Sequence, residues 1–561
     1  MDAFYRPECL PGTRSEILQF ITDWCLTPAV HGDLNVLWLS GALGSGKSTI
    51  STTIAEQFRE LHRLGAFIFF TWDDPTSCDP AAVVRTLAHQ LSIFDVHIGS
   101  SISKTIESFP RIGEASIRLQ FASLLVEPLL SFAEQHTQGP VVIIFDAIDE
   151  CGNPRSRKEL VFRLAEEFAK FPPMFRILIT SRAEADIEAA FANKPNVLRK
   201  ELDITSQSSA ADIVVYLRHR MAIIQKNSIF GLPADWPGPQ RIQALADQSA
   251  GLFVWASTAS TFIEDGHNPE ARLGIVLSSH ARSKVESGLD ALYATALTAS
   301  GKWDDETFVS GFQNILGIIL VARTPLSDLT IDKILGLKEN SRSQFTLTRL
   351  TCLLHWRPGK LIRILHTSIV DYLSDSHRCG KRPWFIDTVL HGRNLASACL
   401  RIMKSELRFN ICKFKTSHLS NDDIHDQAIP TNIAIGDHLS YSCRFWADHL
   451  QALPSGPNDE ILEEVKDLIH SRLLYWLEVL SLVKAVDMAS PALLLTSRWL
   501  KVSNPIIFPL FMELRIARIK TVSFQLLLWM QADLSRHSED LYRTVFLIFT
   551  SQHSHLHPSI Q

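Results

Sequence analysis

One stretch limits the architecture of this chain more than any other. It is Gly41-Ala42-Leu43-Gly44-Ser45-Gly46-Lys47-Ser48, preceded by the apolar run NVLWLS and followed by TISTTIAEQFRELHRL. The spacing G-x-x-x-x-G-K-[ST] belongs to a strand–loop–helix unit in which glycines let the backbone curl until its N–H groups converge on an anion. The positive end of the following helix adds to the field at that point. Lys47 is expected to reach the outer phosphates of a nucleotide, and the Ser48 hydroxyl to ligate Mg²⁺. Gly41, Ala42, Leu43, Gly44, Ser45, Gly46 and Thr49 complete the expected nucleotide-binding set. An ordinary glycine-rich turn is the alternative, and the flanking strand and helix patterns count against it.

Such a unit needs neighbouring strands to be stable. Candidates are NVLWLS (35–40), GAFIFFTW (65–72), VVIIFD (141–146), RILITS (176–181) and NVLRKELD (196–203). The first four are short, nearly continuous apolar runs, the pattern of parallel strands covered on both faces. The fifth is more polar and suits an edge. Helical periodicity between them predicts an α/β P-loop NTPase domain with a parallel five-stranded sheet over 35–204, after a lead-in segment at 1–34.

Beyond Asp203 the pattern turns helical. Residues 205–300 read as a helical domain broken by GLPADWPGPQ (231–240). Over 301–378, LTRLTCLLHW, the turn RPGK and LIRILHTSIVDYL suggest a hairpin inside a winged-helix domain. Residues 379–550 read as a C-terminal helical domain and 551–561 as a disordered tail.

Composition narrows the function. With 55 basic and 60 acidic residues, the net charge of -5 gives no support for nucleic acid as a partner. Nine cysteines without a CxxC spacing read as reduced thiols, and the N-terminus lacks a signal-peptide core. Apolar runs such as ILGIILVA (315–322) are too short to span a bilayer. A cytoplasmic location is the expectation.

Two further segments carry candidate chemistry. In VVIIFDAIDE, Asp146 ends a buried strand where it can hold Mg²⁺, and Asp149 or Glu150 can orient or deprotonate an attacking water. In RILITSR, Thr180, Ser181 and Arg182 fall at another strand's carboxyl end, the ligand-binding edge of open α/β sheets. Arg182 is a candidate for sensing the γ-phosphate, with a solvated surface arginine as the alternative.

In this order, GALGSGKST, VVIIFDAIDE and RILITSR resemble the NACHT domain of the STAND class of signalling ATPases. The wider chain is similar to fungal, especially mushroom-type, NACHT proteins through ECLPGTR (8–14), AGLFVWASTASTFIEDG (250–266), ILHTSIVDYLSD (364–375), LRFNICKF (407–414) and LSYSCRFWADHL (439–450). The resemblance implies a switch that binds ATP/ADP with Mg²⁺, closed with ADP and open with ATP, self-associating on activation. It further implies that His366, at the end of the hairpin, contacts the ADP β-phosphate, and that Thr13 and Arg14 line the adenine or ribose side. Three departures stand out: Trp72 where a basic residue is common, a start close to the lead-in that leaves no room for an effector domain, and the lack of a C-terminal β-propeller.

Other constellations are less persuasive. His366, Ser368 and Asp371 lie within six residues of one another without a nucleophile elbow. His553, His555 and His557 alternate in a polar tail, and Tyr441, Phe445 and Trp446 read as helix core. The leading expectation is a slow ATPase serving a conformational switch with an unknown protein trigger and effector. The alternatives are a P-loop kinase or other housekeeping ATPase, and a silent nucleotide-binding scaffold.

Overall fold

The computed structural model describes residues 7–27, 34–71, 79–135, 139–151, 154–192, 194–228, 231–265, 268–278, 285–339, 342–414, 433–452 and 459–503. Trp72, the three tail histidines and the final segment lie outside them.

Five parallel strands form the central sheet: β1 (Val36–Gly41), β2 (Leu64–Phe69), β3 (Val141–Asp146), β4 (Phe175–Ser181) and β5 (Val197–Leu202). Their order is β2-β3-β4-β1-β5. β4 therefore lies between the strand that feeds the phosphate loop and the strand that ends in Asp146. The polar fifth strand is an edge, as its sequence predicts, and its Arg199, Lys200 and Glu201 face solvent.

The apolar runs are explained by the two cores they serve. Side chains alternate along a strand, so Val36, Trp38, Ile143, Phe145, Ile177 and Ile179 enter one core while Leu37, Leu39, Val142, Ile144 and Leu178 enter the other. The second core is closed by helix α1 (Ser15–Leu26), through Ile17, Ile21 and Cys25, and by α2 (Lys47–Glu60), through Ile50, Ile54 and Phe58. The lead-in thus includes a helix that covers the sheet. The first core is closed by helices over Pro80–Phe94 and Val96–Ser108 and by α3 (Pro154–Glu167). Each such side chain, fully buried, contributes about 1.5–3 kcal/mol of transfer free energy.

The rest of the chain is mainly helical. It includes α4 (Gln207–Asn227), α5 (Phe253–Glu264) and α6 (Val285–Ser300). An antiparallel hairpin of β6 (Leu354–His355) and β7 (Arg363–Ile364) follows, its turn closed by the Lys360 N–H donating to the Arg357 carbonyl at 3.0 Å. Next come α7 (Ser368–Ser374), α8 (Thr388–Glu406) and α9 (Asp437–Gln451). Buried apolar residues from Ile213 to Leu500 join in one continuous core. Tyr441, Phe445 and Trp446 are buried on α9, in agreement with their reading as helix core. No disulfide joins the described cysteines, and no described helix is long and apolar enough to cross a membrane.

Ile144 is fully buried at the centre of the sheet, whereas Glu201 is exposed on its edge. Urea unfolding is expected to show Ile144→Ala costing about 2–5 kcal/mol. Glu201→Ala should stay within about 0.5 kcal/mol.

Candidate phosphate site

The loop between β1 and α2 depends on two backbone positions with positive φ, Gly44 at 75° and Gly46 at 95°. Gly46 caps α2, and the Thr49 hydroxyl donates to its carbonyl at 2.7 Å. The Lys47 ammonium folds back across the loop and donates to the Gly41 and Ala42 carbonyls, both at 2.9 Å. Burial lowers its pKa, opposed by the carboxylates of Asp149 and Asp146. Ser48 is exposed in the first turn of α2, while the Ser45 hydroxyl is buried with no hydrogen-bond partner among the described residues.

Asp146 is fully buried at the end of β3. Its Oδ1 accepts from Thr180 Oγ1 at 2.7 Å, at the end of the intervening strand, and from Ser51 Oγ at 2.9 Å, on α2. The Ala147 N–H donates to Thr180 Oγ1 at 3.0 Å, and Ala147 takes a left-handed conformation that turns the chain into the short helical turn Ile148–Glu150. Asp149 is 5% exposed; its Oδ2 accepts from Arg182 Nε at 2.7 Å, and its Oδ1 is buried without a partner among the described residues. Arg182 also pairs with Glu184 at 3.2 Å. Burial opposes the Arg182 charge, but Asp149 and Glu184 outweigh it and raise the pKa. Arg182 thus sits on the expected edge with its guanidinium held by acids of the same domain. Glu150 is half-buried, 3.5 Å from the Thr367 hydroxyl beyond the hairpin.

Parts of the chain distant in sequence close over this loop. Arg14, in left-handed conformation at the head of α1, is buried. Its guanidinium donates to the Ser45 carbonyl at 2.8 Å and to Ser209 Oγ on α4 at 2.7 Å, and lies 4.8 Å from the Phe253 ring centre. The Arg14 N–H donates to Asp212 at 3.0 Å. Thr13 is buried beside it, donating to the Leu10 carbonyl. From the other side, the Val254 N–H in the first turn of α5 donates to the Gly44 carbonyl at 3.1 Å. A Cβ at Gly44 would lie 2.1 Å from Val254 Cγ1, and 3.6 Å from His366 Cε1.

His366 therefore stands against the phosphate loop. Its Nδ1 accepts from the Ser368 N–H at 3.2 Å and lies 2.7 Å from Ser368 Oγ, which is 2.6 Å from the buried Tyr293 hydroxyl of α6. That contact leaves the proton on Nε2. Burial, with the charges of Lys47 and Arg182, lowers the His366 pKa to about 4, so the ring is neutral near pH 7. The pairing of His366 with Ser368 is real, but Ser368 is enclosed and its third partner is Tyr293 rather than Asp371.

The family described as Nephrocystin 3, N-terminal, matches residues 12–182. Vegetative incompatibility protein HET-E-1 of Podospora anserina is 22% identical over 491 residues, covering 81% of this chain and 34% of that protein. These matches support a fungal NACHT-type NTPase. The chain spans about a third of the length of that curated relative. Among solved structures, a Walker-type ATPase of Pyrococcus abyssi overlaps with a TM-score of 0.33 at 11% identity, over 66% of this chain and 98% of its own. Cdc6p from Pyrobaculum aerophilum gives 0.32 at 14%, over 72% and 97%. Overlaps this low leave the fold to rest on the sheet order itself.

Sequence reasoning missed Ser51, Arg157, Ser209, Asp212, Val254 and Tyr293, all of which contact the loop or its neighbours. None sits in a motif of its own.

The shift of His366 has a measurable sign. Between pH 6.5 and 4 the unfolded chain binds a proton that folded His366 refuses, so stability falls as pH falls through that window. His449 and His391, also lowered by burial, act in the same sense. The difference between wild type and His366→Gln isolates the contribution. Denaturation as a function of pH is expected to show the variant losing about 1–3 kcal/mol less than wild type between pH 7 and 4.

Proposed function

We propose that this chain is a nucleotide-operated switch that binds ATP or ADP with Mg²⁺ and hydrolyses the triphosphate slowly. The observation that carries this reading is the convergence on Gly44: the amide of α5 and the His366 ring both meet the phosphate loop there. A nucleotide held by that loop would report its phosphate number to both elements and shift the balance between open and closed forms.

In this reading Lys47 leaves the Gly41 and Ala42 carbonyls for the outer phosphates, and the loop N–H groups bind the rest. The neutral His366 donates its Nε2 proton to a phosphate oxygen of the diphosphate. The residues are of the kind that suits a divalent cation: the buried Asp146 carboxylate, the exposed Ser48 hydroxyl, and an Asp149 carboxylate oxygen buried without a partner among the described residues. Ser48 and Asp146 would hold Mg²⁺, which when bound neutralises charge on the phosphate oxygens. For hydrolysis, Asp149 or Glu150 takes a proton from water as its oxygen bonds to the γ-phosphorus and the bond to the ADP oxygen breaks. Arg182 leaves Asp149 to offset the developing charge.

The division into an NTPase domain over 35–204, a helical domain over 205–300, a winged-helix domain over 301–378 and a C-terminal helical domain is part of the proposal. So are self-association, a cytoplasmic location and a role in innate-immune-like or self/non-self recognition, the last resting on the printed name of the Podospora relative.

Purification without added nucleotide, followed by denaturation and chromatography, is expected to release close to one ADP per chain. Lys47→Ala should carry none, and His366→Ala should lose its ADP about tenfold faster, the loss of a hydrogen bond to a charged group. An empty wild-type protein that turns over ATP freely as a monomer would overturn the switch and favour an ordinary P-loop enzyme.

A further inference from the structure

Arg157 lies outside every motif singled out in the sequence, yet it is the most heavily committed arginine near the site. It is 2% exposed. Its Nε and one terminal nitrogen grip both oxygens of Asp186, at 2.8 and 2.9 Å. The same terminal nitrogen also reaches Glu184, and the other donates to the backbone carbonyl of Asp149 at 2.5 Å. Glu184 in turn pairs with Arg182, and Arg182 with the Asp149 side chain. The contacts close into a ring: Asp149 carbonyl, Arg157, Glu184, Arg182, Asp149 carboxylate.

A buried arginine bound to two acids makes poor sense as plain stabilisation, because desolvating such charges costs as much as their attraction returns. Its geometry makes better sense as a brace. The planar guanidinium offers fixed donor directions that a flexible ammonium does not. One of those directions fixes the backbone of the turn Ile148–Glu150, and the ring through Glu184 and Arg182 fixes the Asp149 carboxylate. The result is that Oδ2 is occupied while Oδ1 is buried and unpartnered among the described residues, in a carboxylate close enough to Lys47 to favour its charge.

We propose that Arg157 is a positioning residue for hydrolysis, acting through Asp149 by holding the acidic turn in register with the phosphate loop. This rests on the hydrolytic reading of the site given above. Arg157 touches neither phosphate nor water; its effect is to keep one carboxylate oxygen aimed. A displacement of about 1 Å in such a group is enough to cost on the order of a hundredfold in rate.

The test is a double-mutant cycle with single-turnover ATP hydrolysis, read beside ATP affinity and deuterium exchange over 147–151. Arg157→Ala and Arg157→Lys are both expected to slow hydrolysis about 10- to 100-fold with ATP affinity within about threefold, since lysine lacks the fork. In an Asp149→Asn background, Arg157→Ala should cost less than about threefold further. Removing one partner of a buried ion-pair network lowers global stability, so exchange in the turn should rise in the Arg157 variants by more than their loss of global stability accounts for. If Arg157→Ala does not fold, Glu184→Gln breaks the ring at another member and is expected to show the same pattern more mildly. Additive losses in the cycle, or unchanged exchange in the turn, would overturn the proposal. A wild-type protein that binds but never hydrolyses ATP would sink the hydrolytic reading and the catalytic role of Arg157 with it. The exchange data would then still report whether the ring holds the turn.

Discussion

The contact on which the rest of the site depends is the approach of α5 to Gly44. The carbonyl of a phosphate-loop residue accepts an N–H from the first turn of a helix in another part of the chain, and Val254 packs where a side chain at Gly44 would have to be. An α-helix begins with N–H groups that lack internal partners, so each must find an acceptor. Here one finds it in the phosphate loop. The same few atoms that would cradle phosphate therefore serve as a docking surface for the helical region. The Arg14 guanidinium seals the other side of the loop at Ser45, and His366 completes the enclosure. Any rearrangement of the loop around a ligand must be felt by all three.

Charge at the carboxyl edge of the sheet is handled in two different ways. Asp146, wholly buried, has one carboxylate oxygen held by two hydroxyls, those of Thr180 and Ser51. Asp149 is held by arginine, and the arginines by further acids. The first arrangement gives a fixed carboxylate suited to a cation. In the function proposed above, the second gives one whose partner, Arg182, would turn from Asp149 to the phosphate charge. Between them the edge carries one static and one exchangeable element.

Much of the sheet-containing part of the chain was legible in the sequence because the signals there are local. The four apolar runs must be covered on both faces, and their alternation between the two cores bears that out. The polar fifth run suited an edge, and it is one. The insertion of β4 between β1 and β3 was not legible, because strand order is decided by crossovers and not by any run of residues; it is what brings Thr180 between the loop and Asp146. The lead-in helix was also missed, although Ile17, Ile21 and Cys25 carry its apolar face at helical spacing. Arg157, Ser209, Val254 and Tyr293 escaped for a deeper reason. Each matters through a partner from roughly ten to two hundred residues away, and a single sequence contains no trace of that pairing. The histidine at the hairpin came from resemblance; its tautomer, fixed by the Ser368 amide, came only from the structure.

The most direct measurement is hydrogen exchange at the Val254 amide, compared between the ADP-bound protein and the protein saturated with a non-hydrolysable ATP analogue. Donation to the Gly44 carbonyl in the closed form should keep that amide protected with ADP, and the analogue should release it to exchange faster by at least about tenfold, a shift of roughly 1.4 kcal/mol in the opening equilibrium. Identical protection with the two nucleotides would mean that α5 does not register the phosphate, and would contradict a switch built on Gly44.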